Sequence, residues 1–203
     1  MAKLKKSLSI IFLVLICDQA LKFWVKTHMF LGQQIPVFDN WFYLSFTENI
    51  GMAFGLKFAG SYGKLILSVF RLLAITAIGW YLVKIIKNKA KTGLIICVSL
   101  IFAGAIGNIL DSLFYGMIFS NSGYDPFFIA KLFPSNGGYS SFLHGKVVDM
   151  LYFPIIKGTF PDWFPFWKSQ SFIFFRPIFN IADSAISVGV FALVLFQKKL
   201  FKK

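Results

Sequence analysis

Four long apolar stretches, at about 7–25, 65–86, 92–115 and 177–197, limit what this chain can fold into more than any other feature. Each fits the roughly 20 residues that a helix needs to cross a bilayer. Hydrocarbon offers no water to a backbone N–H or C=O, so an unpaired spanning segment of this kind must be helical. Composition agrees, since 57% of the 203 residues are hydrophobic and only 14% charged, outside the soluble range. The sequence predicts an all-α integral membrane protein, one domain over 1–203, with four transmembrane helices. Two outer segments, about 26–64 and 116–176, lie between them.

Orientation follows from the bases. Residues 1–6, 84–91 and 198–203 hold 11 of the 21 Lys and Arg and no acid. Positive charge collects on the cytoplasmic side, which puts both termini and the turn between the second and third helices there. Basic tails facing an anionic leaflet account for the net charge of +13 without a nucleic-acid partner. The N-terminal KLKKSLSIIFLVLIC is not expected to be a removable leader, because its apolar run continues to Val25 and Ile16 is too large for a processing site. Cys17 and Cys97 fall within spans and are expected to be buried and inert. His28 and His144 lack the spacing of a metal site, so neither metal nor cofactor is expected.

Polar residues inside the apolar stretches are the exceptions that need a reason. A charge at membrane depth is costly and normally faces the bundle interior or a wet cavity. Asp183 is such a residue, and at helical spacing Asn180, Asp183, Ser184 and Ser187 form one polar stripe. Asn and Ser alone would suffice for a hydrogen-bonded helix seam, but the added carboxylate favours a functional site. Asp18 and Lys22 stand at i, i+4 in the first helix, as a self-neutralising pair or as support for a site. In the third helix Gly104, Gly107, Asn108 and Asp111 share a face, small residues permitting close contact and polar ones projecting inward.

The outer segments carry a weaker pattern. Phe42, Leu44 and Phe46 alternate with Tyr43, Ser45 and Thr47, as in a half-buried strand. Asn49 and Gly51 then break it into a shaped loop over Thr47–Gly55. The second outer segment, rich in Pro, Gly and aromatic residues, suits the headgroup zone. Within it, KVVDMLYF sets Asp149 among apolar neighbours. All eight acids fall in the outer half of this topology.

Asp18, Asp111 and Asp183, at similar depth on three helices, and Asp149 above them make a convergent site. Two adjacent carboxylates cannot both ionise cheaply, so they share a proton, one acting as base and the other as acid. That is the chemistry of an aspartic protease. The residue pattern alone leaves open which two acids form the pair. A proton-coupled carrier is the alternative use of membrane carboxylates, and a non-catalytic assembly factor is a third, although no inverted repeat supports a carrier.

Five motifs in order carry a resemblance: DQALK in the first helix, NIGMAFG in the outer loop, GNILD in the third helix, VVDML, and FNIADSAI opening the fourth. Together, over residues 18–187, they resemble bacterial lipoprotein signal peptidase, signal peptidase II. The resemblance implies an intramembrane aspartyl endopeptidase of the bacterial inner membrane, acting on its outer side. Such an enzyme removes signal peptides from prolipoproteins just before the diacylglyceryl-modified cysteine, without metal or cofactor. It implies a catalytic pair at Asp149 and Asp183, with support from Asp18, Lys22, Asn49, Gly51, Asn108, Asp111 and Asn180. A four-helix bundle with a small β-rich cradle and an interfacial helix outside is implied as well, and a monomer in contact with membrane lipid is expected.

Two departures stand out. Where the family usually has Arg after the helix-three Asp, this chain has Ser112, and where the family usually joins that Asp to the VVD motif by a short link, this chain inserts about 30 residues, 117–146. The insert and the aromatic run through Trp163, Phe164, Phe166 and Trp167 are expected at the outer headgroup plane. Arg71, at a depth close to that of Asp111, is a candidate for the missing arginine's role, the alternative being that it snorkels outward.

Overall fold

A computed structural model describes residues 1–38, 41–50 and 60–201. Its order is α1 (Ala2–His28), β1 (Gln34–Phe38), β2 (Phe42–Asn49), α2 (Gly60–Lys87) and α3 (Thr92–Leu110). A π-helical turn, Asp111–Tyr115, and the single turn α4 (Gly116–Ile118) prolong α3. Then come β3 (Val147–Tyr152), β4 (Ile156–Thr159), β5 (Ser171–Phe174), β6 (Ile178–Phe179), α5 (Ile181–Leu195) and α6 (Gln197–Phe201).

Among the described residues three helices are long and apolar enough to cross a membrane: Ala2–His28, Gly63–Lys87 and Thr92–Ile118. The fourth expected span is shorter than the sequence suggested. Residues 178–179 pair as β6, leaving α5 with 15 residues. At 1.5 Å per residue this falls short of a bilayer core. Phe196 and α6 extend it, because the Phe196 N–H bonds the Ala192 carbonyl at 3.0 Å and the Leu200 N–H bonds the Phe196 carbonyl at 2.9 Å.

The central helix is α3, which packs on α5, α1 and α2. Its close approach to α5 depends on glycine: a Cβ on Gly104 would stand 2.2 Å from the Ala182 carbonyl oxygen. Outward-facing Phe12, Leu13, Phe70, Leu73, Phe191 and Val194 are exposed, as lipid-facing residues should be. Cys97 is buried, but Cys17 is exposed, contrary to expectation, because it lies on the outward face of α1.

At the other end of the bundle lies an antiparallel sheet in the order β1-β2-β3-β6. The alternating run found in the sequence lies in β2, which continues through Thr47, Glu48 and Asn49 where a loop is expected, because these residues pair with Asp149, Val148 and Val147 of β3. Pro36 is tolerated because β1 is an edge strand and needs no second ladder. Val25, Met29, Phe46, Tyr115, Phe119, Val148 and Met150 form a core joining the end of α1 to this sheet. Hairpin β4–β5 stands apart as a two-stranded sheet. Among the described residues the helical pieces of the second outer segment are the single turns Gly116–Ile118, which prolongs α3, and Pro126–Phe128, so the expected interfacial helix is not found there.

The insert leaves and rejoins the fold at almost one point. Gly145 N–H bonds the Ser112 carbonyl at 2.9 Å, and Ser140 N–H bonds the Gly116 carbonyl at 2.8 Å. Its length therefore does not displace β3, which follows directly.

Candidate active site

Strand alternation aims Asp149. Val148 and Met150 point into the core, so Asp149 between them points to the opposite face. Antiparallel pairing of β3 with β6, Leu151 against Phe179, brings the start of α5 beside it. At that junction Asn180 is the N-cap of α5, its Oδ1 accepting from the Asp183 N–H at 2.9 Å. Asp183 closes the capping box by accepting from the Asn180 N–H at 3.3 Å. The cap is thus part of the site. The expected helical stripe differs accordingly: Asn180 lies before the helix and Ser187 is exposed.

One asparagine joins the two acids. Asn180 Nδ2 donates to Asp149 Oδ1 at 2.7 Å and to Asn108 Oδ1 at 3.0 Å. Asn108 in turn donates to Asp183 Oδ1 at 2.7 Å. Asn49 Nδ2 reaches Asp149 Oδ2 at 3.3 Å from the end of β2. Burial and the nearby Asp183 carboxylate push the Asp149 carboxyl up to about 7. A cleft of about 370 Å³ opens over Asp149, lined also by Thr47, Glu48, Asn49 and Arg176.

Beneath this layer lies a buried ionic one. Lys22 Nζ stands 2.8 Å from Asp18 Oδ2 and 2.9 Å from Asp111 Oδ2, and all three side chains are fully buried. It also donates to Asn108 Oδ1 at 3.0 Å, linking the two layers. Neither member of the i, i+4 pair snorkels. Asp18 Oδ1 accepts from the Ala182 N–H at 2.9 Å, and Asp111 Oδ2 from the Val148 N–H at 3.2 Å. Each carboxylate therefore holds a backbone segment next to a site residue, Asp183 or Asp149. Gly107 makes room, since a Cβ there would lie 2.8 Å from Asp18 Oδ2.

Eight of the nine expected site residues, Asp18, Lys22, Asn49, Asn108, Asp111, Asp149, Asn180 and Asp183, thus share one network. Gly51 lies outside the described residues. Lys22 pairs with Asp111, the acid for which Arg71 is also a candidate partner. Arg71 interacts electrostatically with Asp183 first, then Asp149, and only then Asp111. Ser112, in the place of the family's arginine, donates to the Asn108 carbonyl at 3.3 Å.

Two features escaped the sequence reading. Gln19 spans the lower layer, donating to Asp18, Asp111 and the Gly107 carbonyl and accepting from the Tyr115 hydroxyl. Its place inside DQALK, beside Asp18, was the available signal. A second ion cluster joins Lys26, Glu48 and Lys146, with Ser122 bonded to both Lys26 and Glu48. Burial raises the Glu48 carboxyl, but the Lys26 and Lys146 ammoniums more than reverse this and hold it below the usual range. No local pattern links residues so far apart in sequence.

A multi-pass helical membrane protein with a pair of carboxylates joined through one asparagine, Asp149 buried and Asp183 half-buried, is thereby defined. The chain belongs to the signal peptidase II family: the model of Signal peptidase (SPase) II matches residues 10–198. The lipoprotein signal peptidase of Porphyromonas gingivalis is 50% identical over 188 residues, covering 92% of this chain and 80% of that one. That of Amoebophilus asiaticus is 39% identical, covering 97% and 79%. Two solved bacterial membrane enzymes share the fold, one with TM-score 0.59 at 23% identity over 96% of this chain and 88% of the other. The second has TM-score 0.58 at 25% identity over 95% and 92%. The protein is accordingly an aspartic protease of the lipoprotein-processing type, and the carrier reading is set aside.

Proposed function

We propose that this enzyme cuts prolipoproteins just before their diacylglyceryl-modified cysteine, with Asp149 and Asp183 as the catalytic pair. The observation that carries the reading is the Asn180 bridge, one residue bonded to both carboxylates. Asp183 is the base: it accepts from Asn108 and Asn180 and lies in the first turn of α5, where the helix dipole favours negative charge. Asp149 carries the shared proton, as burial beside a second carboxylate requires.

In this reading Asp183 takes a proton from water as the oxygen attacks the scissile carbonyl carbon. Asp149 gives its proton to the carbonyl oxygen, and a neutral tetrahedral diol forms. On collapse the C–N bond breaks, Asp183 passes its proton to the leaving amine of the cysteine, and Asp149 recovers its own from the departing hydroxyl. The signal peptide leaves as a carboxylic acid, and both aspartates return to their starting states.

The same reading takes α5 with α6 as a fourth crossing and both termini as cytoplasmic, so the site opens on the outer side of the inner membrane. It also treats the protein as a monomer in lipid. Asp149→Asn and Asp183→Asn should each abolish cleavage of a diacylglyceryl-modified prolipoprotein, with membrane abundance unchanged. Substantial turnover by either variant overturns the assignment.

A further inference from the structure

Beside the cleft over Asp149 lies a second of about 450 Å³, and the two share Thr47, Glu48 and Ile50. Its far wall comes from the insert, with Asn121, Tyr124 and Lys146. The insert is fixed there. Lys26 and Lys146 both bind Glu48, Ser122 bonds Glu48, and Leu31 N–H bonds the Gly123 carbonyl at 2.8 Å. Lys26 is also packed over the Tyr139 and Phe119 rings at 5.1 and 5.3 Å. The two clefts thus adjoin across the end of β2, with Thr47, Glu48, Asn121, Ser122 and Lys146 supplying polar groups beside the Asp149 cleft.

Charge gives these clefts a preference. Two ammoniums face the single Glu48 carboxylate, leaving one positive charge in excess. Lys146 keeps 28% of its side chain exposed, so its charge reaches the cleft. Lys64 lies within electrostatic range of Lys146 and Arg71, and Arg176 lines the adjoining cleft. Cations therefore outnumber acids around the two clefts.

We infer that the insert cleft holds the first residues of the substrate after the cleaved bond, and that Lys146 favours an acidic side chain there. The inference rests on the peptidase reading above. In that reaction the signal peptide and the acyl chains belong to the membrane, whereas the segment after the cysteine is water-soluble and needs polar surroundings. The insert cleft supplies them beside the Asp149 cleft.

Two diacylglyceryl-modified peptides, identical except for Asp or Asn in the residues after the cysteine, test this with purified full-length enzyme. The acidic peptide should have a kcat/KM up to about fivefold higher at low ionic strength, the size of one partly exposed charge pair. Added salt should compress that ratio toward one in the wild type, a readout that needs no variant. In Lys146→Gln the ratio should also fall to about one, and a ratio cancels any general loss of activity. Equal cleavage by the wild type, or a ratio that Lys146→Gln leaves unchanged, overturns this inference alone. Cleavage of neither peptide defeats the peptidase reading and this inference with it.

Discussion

Asp149 is where burial turns most directly into chemistry. A carboxyl held at about 7 instead of its ordinary 3.8 keeps its proton near neutral pH. The sign follows from linkage: a pKa raised by folding gives stability that is complete below the unfolded value and is lost as pH rises through the folded one. Wild type should therefore lose stability relative to Asp149→Asn between about pH 4 and 7, with the difference level above that. If Asp149 donates the proton, kcat/KM also declines above about pH 7. Thermal unfolding and a pH–rate profile measure the two effects. A wild type that gains stability relative to Asp149→Asn between pH 4 and 7 would contradict the assignment. Lys22 plays the complementary part, since two buried carboxylates without it would be uncompensated charges.

The decisive packing between elements is that of α3 against α5. It sets the Asn108 to Asp183 bond, and it exists because Gly104 and Gly107 let the helices approach. Gly104→Ala must move Ala182, because the Cβ would meet a backbone oxygen that no rotamer change can withdraw. Ala182 donates its N–H to Asp18 and precedes Asp183, so the proposed catalytic pair moves with it. We expect a lower melting temperature, by several degrees for a loss of about 1–3 kcal/mol, and a larger proportional loss in kcat than in KM. Wild-type kcat in a folded Gly104→Ala enzyme would show that the α3–α5 spacing is not critical. The strand elements act by alternation: one step of register would turn Asp149 into the core and Val148 into the site.

Across the whole molecule the three basic segments gather at one end. Lys3 Nζ donates to the Lys89 and Ala90 carbonyls at 2.9 and 2.6 Å, and Lys91 to the Lys199 carbonyl at 2.9 Å. The three basic segments therefore meet at one end, and the aspartate network lies at the other. With the positive-inside rule this predicts that a fluorescent protein fused after Lys203 matures in the cytoplasm, while alkaline phosphatase fused there stays inactive. Active phosphatase at that position would reverse the proposed topology.

The sequence alone determined the membrane class, three of the helices and the alternating part of β2, Phe42–Thr47, because hydrophobic length and alternation are local signals read one segment at a time. It also singled out eight residues that the fold brings into one network, since polar groups in apolar stretches are conspicuous wherever they occur. Its boundary at the fourth helix failed because β6 is a strand only through its pairing with β3, a partner about 30 residues away. Tertiary structure alone decided that Lys22 pairs with both Asp18 and Asp111, and that Gln19 ties the lower layer together. It likewise decided that the insert returns to its starting point and reaches Glu48. Those are matters of distance between segments remote in the chain, and no periodicity within a segment encodes them.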